Sequence, residues 1–399
     1  MSNTTRNKTA KEIIHEYEID SSFFLSTPQR TLLTKGIVTK YPDDDLNNGT
    51  GQMLEQIRKM LSNAKLQGMN DPIVVGAIPF DYTKSLQLFV PKEVEKLGPL
   101  SFVEEIRKED LSKIKYEMTP VPERKEYGEY VAKALKKITN HELSKIVLAR
   151  SLHVKADKKI AIHKLIQSLV AQNSNSYTFA VNLPQSGLRE RKRTLLGASP
   201  ELLVSKSGSY VCSNPLAGSA PRSKDPKEDQ RRAEQLLHSS KDRYEHKFVV
   251  DAVAQTLKPF CTNLEVPTEP SLIQTETMWH LSTEIRGQLA NPSTTALELG
   301  LALHPTPAVC GAPTNLAKEV IQEIEAFNRD YYSGMVGWSD ADGNGEWIVT
   351  IRCAEVEDDL LKLYAGAGIV AGSKADSELA ETSAKLRTML LSMGISSEY

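Results

Sequence analysis

Two strand-like runs near the C-terminal end, 347–353 and 361–369, are separated only by a short acidic loop, and this link constrains the fold most. So short a connection joins antiparallel neighbours, because parallel strands need a crossover of about a dozen residues or more. Further strand candidates, rich in apolar and β-branched residues, lie at 73–78, 145–150, 177–182 and 202–205. Helical periodicity marks 127–135, 226–238, 243–257, 315–328 and 377–392. The two kinds of element alternate irregularly, unlike the strict repeat of a doubly wound sheet, so an α/β fold with largely antiparallel sheets is expected. At 399 residues and 40% hydrophobic content, the chain can bury a substantial core. Residues 1 to about 115 are less regular, with a polar loop over 41–50. A charged stretch then runs from Lys108 through Pro120 and Pro122, and the character of the sequence changes near residue 120.

The formal net charge is −2 with both signs interspersed, so no basic arm is available to track a phosphate backbone and nucleic acid is not an expected partner. The N-terminal residues are polar and charged, without an apolar signal core. No run approaches the roughly 18 apolar residues that cross a bilayer, and a cytoplasmic protein without membrane contact is expected. Cys212, Cys261, Cys310 and Cys353 lie far apart and form no Cys-x-x-Cys pair, as free thiols would. The stretch from Asp340 to Glu346 resembles the start of a calcium loop, but its twelfth position is Ile351 and its flanks are strand-like. A hairpin turn fits it better. The glycines of Gly366-Ala-Gly368-Ile-Val-Ala-Gly372 miss dinucleotide-binding spacing. They suit a strand that a ligand approaches closely, or one with a bulge.

Asp242 and Glu245 stand three apart in a helical segment, as do Glu378 and Glu381, with Lys385 four beyond. Each set projects from one helical face. Solvated ion pairs are the usual meaning of such spacing. Here, however, Phe248, Val249 and Val250 follow Glu245, and Leu379, Leu386, Met389 and Leu390 mark the second helix as packed. Two pairs of acids on packed helices could together hold Mg²⁺, which prefers oxygen ligands.

Nine ordered segments then carry a resemblance. They are Lys145–Arg150, Ala198–Leu202, Pro215–Arg222, Lys241–His246, Met278–Thr283, His304–Gly311, Ile351-Arg352, Ala365–Ile369 and Glu378-x-x-Glu381-Thr. Over roughly 120–392 the chain resembles the chorismate-utilising enzymes: anthranilate, aminodeoxychorismate, isochorismate and salicylate synthases. Within them it is most similar to the isochorismate synthases of dihydroxybenzoate siderophore pathways, of the enterobactin or bacillibactin kind. The resemblance implies one compact α/β unit of two large packed antiparallel sheets flanked by helices. Residues 1–119 would form the N-terminal region of that unit, 120–392 the catalytic region and 393–399 a tail.

The resemblance also implies roles. Lys145 would be the base that activates water, which requires a neutral amine, and Glu201 the acid that protonates the leaving hydroxyl, which requires a raised pKa. Glu245 and Glu381 would bind Mg²⁺, with Asp242 and Glu378 reaching it through water or shaping its shell. The backbone of Gly218, Ala308, Val309, Gly366 and Gly368 would lie along the substrate, Arg352 and Lys385 would bind the enolpyruvyl carboxylate, and His280 would lie near the ring. Strand alternation sets Arg352 opposite Trp347, free to face a cleft.

Two positions speak for water as nucleophile. Ammonia-adding relatives have glutamine where Lys145 stands, and aminodeoxychorismate synthases have lysine where Ala217 stands. The resemblance thus implies chorismate as substrate, no glutaminase subunit and a monomer. Salicylate synthase, a menaquinone-route isochorismate synthase and a non-catalytic relative remain alternatives.

Overall fold

The strand Lys145–Ala156 is buried at each of its first eight positions, so neither of its faces meets solvent there. A strand hidden on both faces belongs between two layers. The structure, a computed structural model, describes residues 8–42, 49–100, 114–184 and 192–395. Parts of the polar loop 41–50, of the charged stretch before residue 120 and of the tail lie outside the described residues.

From one edge, the sheet passes through Tyr116–Val121, Lys145–Ala156, Leu360–Ile369, Cys353–Glu357, Arg193–Ser199 and Tyr177–Leu183. Phe23–Ser26 and Thr31–Lys40 follow. The run continues through Gln87–Leu97, Ile73–Ile78, Met335–Asp340, Gly345–Val349, Leu202–Ser207, Tyr210–Asn214, Ile285–Leu289 and Cys261–Glu265. With Gly311–Ala312 beside Lys145 and Ile146, 17 strands join among the described residues, and the neighbours pair antiparallel.

This run folds back on itself. Phe179, Leu195 and Tyr364 from its first half meet Val75, Val336 and Ile348 from its second in one apolar interior. The two packed sheets expected from sequence are therefore two halves of one sheet, continuous through Phe23–Ser26. Helices cover the outer faces. Leu165 and Leu169 of Ile162–Gln172 and Leu386 and Met389 of Ala375–Ser392 pack on the first half. Met53 and Ile57 of Gly49–Leu66, Val250 and Val253 of Ser240–Leu257, and Leu297 of Ala296–Leu303 pack on the second. A separate three-stranded antiparallel sheet, Leu216–Pro221, Met278–Ser282 and Ser271–Gln274, lies beside Ser240–Leu257.

Two short segments cross from one half to the other. Pro200 and Glu201 link Arg193–Ser199 to Leu202–Ser207, and 350–352 links Gly345–Val349 to Cys353–Glu357. The crossings are bonded together, with Ala198 N–H donating to Arg352 O (3.1 Å) and Val349 N–H to Glu201 O (3.2 Å). The predicted strand 347–353 is thus two strands in different layers. The strand-like pattern of 347–353 concealed a break at which Arg352 takes φ 51°. The hairpin with Leu360–Ile369 is antiparallel as expected, but its first arm is Cys353–Glu357. Helix Thr314–Ile324 ends short of 328, because Glu325 turns extended and points its carboxylate inward. Met335–Asp340 and Gly345–Val349 form the expected hairpin around Asp340–Asn344.

Candidate active site

Lys145 opens its strand with its side chain 2% exposed, and its Nζ lies 2.8 Å from Glu245 Oε1 on helix Ser240–Leu257. The neighbouring strand Leu360–Ile369 makes room for this pair. A Cβ on Gly368 would stand 2.2 Å from Glu245 Oε1 and 3.0 Å from Lys145 Cε, so any larger residue there would push the pair aside. Glu245 faces a cleft of about 620 Å³, counting its open mouth. Glu201 reaches the same cleft from its crossing.

Glu201 is buried, and Leu216 N–H makes a long contact of 3.5 Å to its Oε1. Burial raises its carboxyl to about 7, against the opposing pull of that N–H and of Lys145, Lys385 and Arg352. Arg352 sits on the second crossing, also buried. Its NH2 donates to His280 Nε2 at 3.1 Å, and its NH1 is buried with no partner. Burial lowers the guanidinium to about 10, which leaves it charged at neutral pH. Burial, then Arg352 and Lys385, push His280 well below the usual histidine range. The imidazole is therefore neutral, and accepting at Nε2 places its proton on Nδ1. A buried guanidinium with an unused donor suits an anionic ligand group.

The four acids lie on two helices, Ser240–Leu257 and Ala375–Ser392. Glu381 receives Lys385 Nζ at 2.6 Å and Ser219 Oγ at 3.1 Å, while Lys385 also donates to Gly366 O at 2.9 Å. Burial pushes the Glu381 carboxyl up, but Lys385, Ser219 and Lys241 outweigh it and hold it below the usual range. Glu378 pairs with Lys241 at 3.0 Å, and Ser239 donates to Asp242. Burial and neighbouring carboxylates, Glu245 and Glu381 for Asp242 and Glu381 for Glu378, raise both of these acids. Mutually repelling oxygen donors suit a hard divalent cation. Among the described residues, no three His, Cys, Asp or Glu converge on one ready-made metal position. Glu245 and Glu381 are each paired with a lysine, Lys145 and Lys385.

Twelve of the residues singled out from sequence line this one cleft: Glu201, Ala217, Gly218, Glu245, His280, Ala308, Val309, Arg352, Gly366, Gly368, Glu381 and Lys385. Lys145 meets it through Glu245, while Asp242 and Glu378 stand outside its lining. Gly218, at φ +77°, passes close to Asp242, where a Cβ would come within 3.0 Å of the Asp242 Cβ. Sequence reading missed Ser219, although it lies inside a quoted segment. It also missed Tyr332 and Tyr364, whose rings stack 5.1 Å apart in the cleft wall. Those two are far apart in sequence, and no spacing pattern announces them.

The profile of the family described as chorismate-binding enzyme matches residues 92–394. The chain belongs to this family. Among relatives of this chorismate-binding enzyme, the isochorismate synthase DhbC of Bacillus subtilis is 54% identical over 98% of each chain. The vibriobactin-specific isochorismate synthase of Vibrio cholerae is 41% identical over 94% of this chain and 92% of its own. The crystal structure of DhbC from Bacillus anthracis, provisionally described as a 2,3-dihydroxybenzoate-specific isochorismate synthase, superposes with a TM-score of 0.91. It is 51% identical and covers 96% of this chain and 99% of that one.

Proposed function

We propose that this chorismate-binding enzyme is an isochorismate synthase that converts chorismate to isochorismate with Mg²⁺ and feeds 2,3-dihydroxybenzoate siderophore synthesis. The shared cleft carries this assignment: it is lined by a buried carboxyl that keeps its proton up to about pH 7, and a buried amine stands against Glu245 of its wall. That is the equipment for adding water at one ring carbon while releasing hydroxide character at another. Lys145, as the base, takes a proton from water while the water oxygen bonds to the ring carbon beside the carboxylate-bearing one. The double bonds shift, and Glu201 protonates the departing hydroxyl, which leaves as water. One water enters and one leaves, so substrate and product are isomers.

Arg352, through its unpaired NH1, and Lys385 suit the enolpyruvyl carboxylate. His280 orients Arg352 as a neutral acceptor. Small or backbone-presenting positions, Ala217, Gly218, Ala308, Val309, Gly366 and Gly368, leave room for the ring. Glu245 and Glu381 would hold Mg²⁺, with Asp242 and Glu378 shaping its surroundings. Bound there, the ion supplies positive charge for the ring carboxylate. Names carried by the DhbC relatives support the siderophore route over the menaquinone one. With water as nucleophile no glutaminase is needed, and we infer a cytoplasmic monomer acting alone. Consistent with this, no helix among the described residues is long and apolar enough to cross a membrane.

Product analysis tests the assignment. Purified protein given chorismate and Mg²⁺ yields isochorismate, and a chelator stops the reaction. Salicylate with pyruvate as the main product, or anthranilate formed only with ammonium, would overturn it.

A further inference from the structure

On one side of Lys145–Ala156, Gly311–Ala312 pairs with residues 145–146 and Tyr116–Val121 pairs with 151–156. Between them, Val147 O and Ala149 N–H meet side chains instead of a strand. Arg329 NH2 donates to Val147 O at 2.7 Å, and Ala149 N–H donates to Glu325 Oε1 at 2.7 Å. The two side chains are bonded to each other, Arg329 Nε to Glu325 Oε2 at 2.8 Å and NH2 to Oε1 at 2.5 Å. Arg329 NH1 reaches Val309 O at 2.7 Å. Both side chains are at most 2% exposed.

A buried ion pair is weak support for stability, since apolar side chains of like volume often serve as well. Apolar replacements would, however, strand three buried backbone groups. The planar Arg329 guanidinium holds Val147 O and Val309 O at set distances, and the Glu325 carboxylate holds Ala149 N–H, in a way that a flexible contact does not. Two of them, Val147 and Val309, line the cleft, and Val147 is two residues from Lys145 on the same strand.

We propose that Arg329 and Glu325 are positioning residues that set Lys145 against the Ala308–Val309 wall. This rests on Lys145 acting as the base. Arg329→Lys keeps the charge but loses the fork, and a double-mutant cycle with Lys145→Ala measures what that fork does. In the otherwise unaltered enzyme, Arg329→Lys lowers kcat about a hundredfold, with KM for chorismate changing less, as expected of a small misplacement. With Lys145→Ala already present, the same change costs less than about threefold, the non-additivity of coupled sites. Circular dichroism confirms that each variant is folded. Equal losses in both backgrounds, or an unchanged kcat for folded Arg329→Lys, overturn the positioning role alone. Wild-type turnover in Lys145→Ala, which leaves Arg329 intact, overturns the base assignment and this inference with it. If Arg329→Lys does not fold, Glu325→Gln goes through the same cycle. It is expected to lose about tenfold only where Lys145 is present, and an additive loss overturns the proposal.

Discussion

Glu201 joins reactivity to stability in one side chain. Its carboxyl stands near 7 because burial outweighs the charges around it. In the proposed role of acid it must be protonated, so kcat/KM, which reports the free enzyme, is expected to fall as pH rises through about 7. Glu201→Gln removes that limb and lowers turnover by about a hundredfold. The folded state binds this proton more tightly than the unfolded chain, whose ordinary value is 4.5. Its stability contribution is therefore present below the unfolded value and lost as pH rises to about 7. By denaturant unfolding, Glu201→Gln is more stable than the parent at pH 8, by up to about 3 kcal/mol, and the gain fades towards pH 4. A variant that turns over at the parent rate and is no more stable at pH 8 would remove Glu201 from this account. Residues such as Glu201 were legible through the order of nine segments, since a lone glutamate at a strand end carries no signal. Arg352 does line the cleft, but strand alternation gave the wrong reason, because the strand breaks before it. Ser219 and Tyr332 depend on packing between distant segments, which periodicity does not encode.

Among the elements, helix Ser240–Leu257 shows how a boundary serves the site. Ser239 caps it, accepting Asp242 N–H at 3.2 Å and donating back to the Asp242 carboxylate. Ser239→Ala should destabilise the protein by about 1 kcal/mol, read as a lower denaturant midpoint at unchanged slope. No change in midpoint would mean that the cap is dispensable. Helix Pro226–His238 and strand Ile73–Ile78 have the bounds that periodicity and the apolar β-branched run gave, and Asp225 caps the helix. Lys145–Ala156 runs six residues beyond its predicted end. There, ladder pairing with Leu360–Ile369 extends a strand whose polar outer residues gave no cue.

At the scale of the molecule, strands from residues 23–97 lie in the middle of the run rather than at its edge. The change in sequence character near residue 120 therefore marks no gap in hydrogen bonding, since Tyr116–Val121 pairs with Lys145–Ala156. Unfolding followed by tryptophan fluorescence and by far-UV circular dichroism should coincide in one transition. Separate midpoints would reveal an independently melting part. Antiparallel pairing was legible from one short loop, but the doubling-back of the sheet was not, because local patterning is blind to which layer a strand joins. Glu201 and Arg352 ride on the two crossings between layers, whereas Lys145 begins a strand that stays within one. Chemistry here is thus calibrated by the thickness of the hydrophobic filling. A methylene lost deep between the layers, beyond reach of any ligand, would shift Glu201 and Arg352 relative to Lys145.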